Sequence, residues 1–248
     1  MSDMPPRTGR DGRLGRRKRT RIEGRFGVVL LLLLLAVFFS ISAPDRPWAF
    51  LLTTVVLVTT LIIAMSASGV RPKAMRAWLG ITVLGVGASI FIALTQETKV
   101  AAGYSVITGL LLTLVTMGAI ARRIWLHVEI SVITVLGAVC IYVLVGLSFA
   151  FTFAAVGAFG SQPFFASQEA GTRSDYVYFS FTTVATVGYG DLTAQGGLGR
   201  ALAVTEGLIG QIYLVTAVAA LVSGLGRTRW PQQETNEKAP EKDETRSG

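Results

Sequence analysis

The apolar residues of this chain are gathered into blocks of about 20, separated by short polar breaks, and an α-helix needs roughly 20 apolar residues to cross the ~30 Å hydrocarbon layer of a bilayer. The blocks run over residues 26–43, 48–68, 78–94, 102–121, 128–156 and 198–225. Composition agrees. Hydrophobic residues make up 51% of the 248 and charged residues 15%, where a soluble domain carries roughly 25% charged residues. The expected fold is an all-α membrane protein with six transmembrane helices, not a soluble globule.

Charge sets the expected orientation. The net charge is +8, and nine Arg and Lys residues lie between Arg7 and Arg25, ahead of the first block. A basic run can bind nucleic acid. Beside a membrane helix it reads instead as a cytoplasmic anchor for anionic lipid headgroups, and no nucleic-acid partner is expected. The later breaks alternate: one base at Arg46, three at Arg71, Lys73 and Arg76, one at Lys99, two at Arg122 and Arg123, then Arg227 and Arg229. Cytoplasmic loops carry the excess of Lys and Arg, so both termini are expected inside and residues 157–197 outside. Residues 1–25 and 226–248 read as disordered cytoplasmic tails, being polar and without apolar periodicity. Cys140, the only cysteine, is expected to be a packing residue, and His127, the only histidine, has no companions for a metal site. No paired carboxylates, triad or metal cluster points to an enzyme, and no cofactor is expected.

The outward segment holds a second pattern. Asp175 to Ala185 is aromatic and apolar but only 11 residues long, too short to span. It reads as a re-entrant half-helix capped by Ser174 or Asp175. Directly after it stands Thr186-Val187-Gly188-Tyr189-Gly190-Asp191. This string resembles the selectivity filter of potassium channels, and the resemblance extends over the flanking helices, residues 128–225. A permeating K+ must exchange its water for other oxygens, which rings of backbone carbonyls supply. Successive carbonyls face one way only if alternate residues take unusual backbone angles, which glycine reaches without a Cβ clash. Gly188 and Gly190, two apart, suit that demand.

The resemblance implies that Thr186, Val187, Gly188, Tyr189 and Gly190 form the filter, with K+ held by the carbonyls of the first four and the Thr186 hydroxyl. It also implies that Asp191 supports the filter and that Tyr178 and Phe179 pack around Val187 and Tyr189. One filter sequence is present per chain and four close a ring, so a homotetramer with a central pore is expected. Aligned on the filter, Gly210 takes the place of the gating hinge of the family's inner helix; close helix packing is the other reading of that glycine. The same alignment turns Gln211, Leu214, Val218 and Val222 toward the pore. Glu206 is ionisable within a membrane helix and so a candidate for tuning the filter, with Thr182 or Thr183 as partner; the alternative is a hydrated residue near the outer end.

Residues 26–127 match the family only in number of helices, as a degenerate sensor domain ahead of the pore domain at 128–225. Residues 102–121 contain no Arg or Lys. Steep voltage gating moves several charges through the field, so it is not expected. Tyr178 and Phe179 stand where many relatives have a tryptophan pair, and Thr182 where some have glutamate, which leaves filter inactivation open. A prokaryotic inner membrane is the expected location. A less selective cation channel and a non-conducting scaffold or accessory subunit remain as alternatives.

Overall fold

The computed structural model describes residues 11–42, 47–67, 76, 78, 80–88, 98–126, 132–167 and 171–227. The regular elements are helices: α1 (Asp11–Ser42), α2 (Pro47–Ala67), α3 (helical over residues 80–88), α4 (Thr98–Leu126), α5 (Val132–Phe159), the short α6 (Arg173–Val184) and α7 (Gly197–Arg227). Among the described residues, four helical stretches are long and apolar enough to cross a membrane: Arg25–Ser42, Gly103–Leu126, Thr134–Phe159 and Gly197–Ser223. α2 adds a shorter apolar stretch, Leu52–Ser66. Residues 79 and 89–94 of the block expected at 78–94 lie outside the described residues, as do residues 1–10, His127 and the tail from residue 228.

The amino-terminal expectation changes. Residues 11–25, read above as lacking regular structure, carry the helical backbone of α1. Extending a helix costs far less than nucleating one. The apolar half of α1 supplies the nucleus, and no proline interrupts residues 11–25, which are rich in arginine, a good helix former.

One core joins α1, α2, α4 and α5. Phe26, Val29, Leu33 and Ala36 of α1 meet Leu57 and Ala64 of α2, Ile120 of α4, and Cys140, Val143, Leu144 and Leu147 of α5. Cys140 is thus the packing residue its surroundings predicted. Hydroxyls in these helices bond back to carbonyls of their own turn, as apolar surroundings demand. Thr60 donates to Val56 O at 2.7 Å, Thr116 to Leu112 O at 2.7 Å, and Ser148 to Leu144 O at 2.7 Å.

The segment between α5 and α7 is built on rings. Phe153 of α5 packs with Phe164, Phe165, Tyr176 and Phe179, with Phe153 5.1 Å from Phe179 and Phe164 4.9 Å from Phe165, both edge-on. Each such pair contributes about 0.5–1.5 kcal/mol beyond the area it buries. Backbone bonds then tie the two sides of this segment together: Ala166 N donates to Thr193 O at 3.0 Å and Gln195 N to Phe164 O at 2.8 Å. The loop after α6 is therefore fastened at its far end to the aromatic cluster.

Candidate functional site

α6 is 12 residues long, about 18 Å at 1.5 Å per residue. Its cap is Thr172, not Ser174 or Asp175. The Thr172 side chain accepts from Asp175 N at 3.2 Å, and Asp175 Oδ2 accepts from Thr172 N at 2.8 Å, a reciprocal capping box. Ser174 instead donates to Ile41 O at 2.8 Å, joining the end of α1 to the start of α6. At the other end, the orphan carbonyls of a helix C-terminus need donors. Tyr142 of α5 donates to Val184 O at 2.9 Å. The remaining donors come from the loop itself: Thr186 N to Thr183 O at 2.9 Å, Val187 N to Thr182 O at 2.8 Å and Gly188 N to Thr182 O at 3.1 Å.

Those amide bonds fix where the carbonyls go. In a planar trans peptide the N–H of one residue and the C=O of the residue before it point in opposite directions. With the amides of residues 186, 187 and 188 turned toward α6, the carbonyls of Ala185, Thr186 and Val187 point away from it, side by side. The backbone achieves this by alternation. Thr186, Gly188 and Gly190 have φ of 55°, 56° and 80°, whereas Val187 and Tyr189 stay at negative φ. Alternating right- and left-handed residues align successive peptides in one direction. The two glycines behave as their spacing predicted. Thr186 does so as well, although a left-handed β-branched residue is an outlier that costs on the order of 1–3 kcal/mol. Gln211 of α7 donates to Thr186 Oγ1 at 3.3 Å, so a side chain expected to face the same axis meets the base of the loop.

The two aromatic candidates on α6 separate. The Tyr178 ring stacks on Tyr189, with centroids 6.3 Å apart and planes 5° from parallel, and its hydroxyl lies near Asp191. Phe179 turns the other way, into the cluster with Phe153, Phe164 and Phe165. Neighbouring helical residues point about 100° apart, so both rings cannot serve the same side. Phe179 therefore supports the wall behind α6 and makes no ring contact with Tyr189. Within a single chain residues 185–191 are exposed, Tyr189 by 71%.

α7 presents one inward stripe and leaves its other sides open. Gly199, Glu206 and Gly210 are buried, and Leu202 and Tyr213 are partly buried, at spacings of three or four. A Cβ on Gly210 would stand 2.6 Å from Val184 Cγ2 and 3.0 Å from Val184 O. Close approach to the end of α6 thus requires the glycine, and the packing reading of Gly210 has a contact behind it. Gln211, Leu214, Val218 and Val222 lie exposed, as do Val204, Leu208, Ile212 and Val215.

Two expectations for Glu206 change. It is fully buried, not hydrated, and its partner is Ser180, whose Oγ lies 2.5 Å from Glu206 Oε1. Thr182 and Thr183 bond instead to Phe179 O, at 3.0 and 2.7 Å. Two contributors were missed from sequence. Tyr142 offered only its polar tip in an apolar helix as a signal. Ser180 offered only its interruption of an aromatic run.

No curated protein matches the chain. A family model described as ion channel matches residues 139–226, a stretch that takes in most of α5, the whole of α6, the alternating loop and nearly all of α7. Its helices make the chain a multi-pass membrane protein, and its chemistry is passive movement of ions. The segment that sets the loop's carbonyls side by side therefore lies within a recognised unit, the stretch at residues 139–226 that matches the ion channel family model.

Proposed function

We propose that the chain is the pore-forming subunit of a potassium-selective channel, with four copies arranged around one axis. The observation that carries this reading is the alternation of left-handed residues at 186, 188 and 190, with the amides of 186–188 held against the end of α6. Four such loops facing one another form rings of oxygens from the carbonyls of Thr186, Val187, Gly188 and Tyr189, completed by the Thr186 hydroxyl. These oxygens replace the water that K+ gives up on entry. α6 is the pore helix and aims its carbonyl-rich end, the negative end of its dipole, at the cavity below. Gly190 completes the filter, and Asp191 and Tyr178 hold its outer end. Non-helical backbone at membrane depth is tolerated where it lines a water-filled path, and a tetramer puts the exposed loop in that place.

In this arrangement six helices span the membrane, with both termini cytoplasmic and the loop nearer the outside of a prokaryotic inner membrane. Residues 26–127 form the degenerate sensor domain and residues 128–225 the pore domain. Gln211, Leu214, Val218 and Val222 line the inner cavity, and Gly210 is the point about which α7 bends. With no Arg or Lys across residues 102–121 of α4, opening is not steeply voltage-dependent. The basic amino-terminal segment lies against anionic headgroups. Purified protein in liposomes tests the function: K+ flux well above Na+ flux is expected. Equal fluxes would mean a less selective cation channel, and no flux at all a scaffold or accessory subunit.

A further inference from the structure

Ser180 has one hydroxyl proton and two close oxygen neighbours. Its Oγ lies 2.6 Å from Gly146 O of α5 and 2.5 Å from Glu206 Oε1 of α7. Separations this short mark O–H···O bonds, each with a hydrogen between the oxygens. Gly146 O, a backbone carbonyl, can only accept. If the serine proton goes to Gly146, the hydrogen between Ser180 and Glu206 must come from Glu206. If it goes to Glu206, two oxygens face each other at 2.6 Å with nothing between them.

The other carboxyl oxygen leads to the same place. Glu206 is fully buried, and its Oε2 has no hydrogen-bond partner among the described residues. A bare oxygen on a buried carboxylate leaves a charge unsatisfied, whereas on a neutral acid it is an ordinary carbonyl oxygen, far cheaper to bury. The helices packed against Glu206 bring Tyr142 from α5 and Ser180 from α6 to its vicinity, and the Tyr142 proton is committed to Val184 O.

We propose that Glu206 is a neutral carboxylic acid that donates to Ser180, which in turn donates to Gly146 O, so that a single proton chain fastens α6 to both α7 and α5. Glu206 is then a positioning residue. Among the described residues it hydrogen-bonds Ser180 and none of the loop's carbonyls, and it acts by holding the helix whose end receives the amides of Thr186, Val187 and Gly188. Its effect on conduction rests on the channel reading above; its protonation does not.

Infrared spectroscopy of the full-length protein in lipid nanodiscs at neutral pH, exchanged into D2O, reads the proton directly. A carboxylic-acid carbonyl band is expected that vanishes in Glu206→Gln and moves to higher frequency in Ser180→Ala. An unchanged spectrum in that region between the parent and Glu206→Gln would overturn the proposal. The positioning role is read by K+ flux into liposomes. Glu206→Leu, of similar size but without a donor, is expected to lower flux about tenfold, the factor that one lost buried hydrogen bond corresponds to. Glu206→Gln, whose amide can still donate, is expected to recover most of that loss. Equal loss in both variants overturns the donor role, and so does no loss in either. If Glu206→Leu fails to fold, Ser180→Ala carries the flux comparison. Absence of flux in the parent protein would sink the channel reading and leave the infrared band to decide the proton.

Discussion

α5 and α7 are both apolar enough to cross a membrane, yet half of α5's span is buried within its own chain and only 11% of α7's. α5 finds its partners in cis: α1, α4, α6 and α7 all pack on it. α7 meets α5 and α6 along one stripe and leaves two apolar flanks and a polar Gln211 uncovered. Lipid can satisfy an apolar flank. It cannot satisfy the exposed loop at 185–191, whose backbone groups need water, an ion or other protein. The contrast divides the labour of the fold. α5 is the post on which one chain is assembled, and α7 with its loop is the surface that, in the tetramer proposed above, meets other copies and the permeant ion.

The largest effect that would break this division is at the loop. Alanine at Gly190 must adopt φ near 80°, a strain of about 1–2 kcal/mol per chain repeated in every copy. Gly190→Ala is expected to abolish K+ flux while leaving the size of the assembled particle on gel filtration unchanged. Next come the helices themselves. Leu144→Ala, in the core on α5, is expected to cost about 2–5 kcal/mol, seen as a lower thermal midpoint in detergent. Ile212→Cys on the open side of α7, placed in a Cys140→Ala background, is expected to give cross-linked copies on oxidation, and Leu144→Cys in the same background none. The reverse pattern would mean that the copies meet through α5.

Smaller effects sharpen the seam between α6 and its neighbours. Gly210→Ala places a Cβ 2.6 Å from Val184 Cγ2, and overpacking of this kind costs about 1–3 kcal/mol. A lower thermal midpoint is expected; a change in open probability with no thermal change would favour the hinge role alone. Tyr142→Phe removes the bond to Val184 O and is expected to cost about 0.5–1.5 kcal/mol, read from the same melting curves.

Much of this was legible in the sequence because period and length carry it. Four of the six apolar blocks coincide with helical stretches long and apolar enough to cross a membrane, and the two-residue spacing of Gly188 and Gly190 foretold their left-handed backbone. Thr186 was not legible, because a β-branched residue resists that conformation and takes it only where three amides are already bound to the end of α6. The start of α6 was within reach, since Thr172 and Asp175 have the spacing of a capping box, but the aromatic run drew the boundary to Asp175. The Ser180–Glu206 pair was out of reach. A serine in a helix commonly bonds to its own preceding turn, and only tertiary packing brings Glu206 within reach of it. Phe179 illustrates the same limit: composition marks an aromatic residue for packing, whereas the side it packs on depends on where α5 stands.

The most direct measurement is the reversal potential of single channels in a planar bilayer with K+ on one side and Na+ on the other. Rings of backbone carbonyls from four loops predict a reversal displaced far from zero, with the K+ side negative, as a K+ permeability well above that of Na+ requires. A reversal near zero, with both ions carrying current, would contradict them.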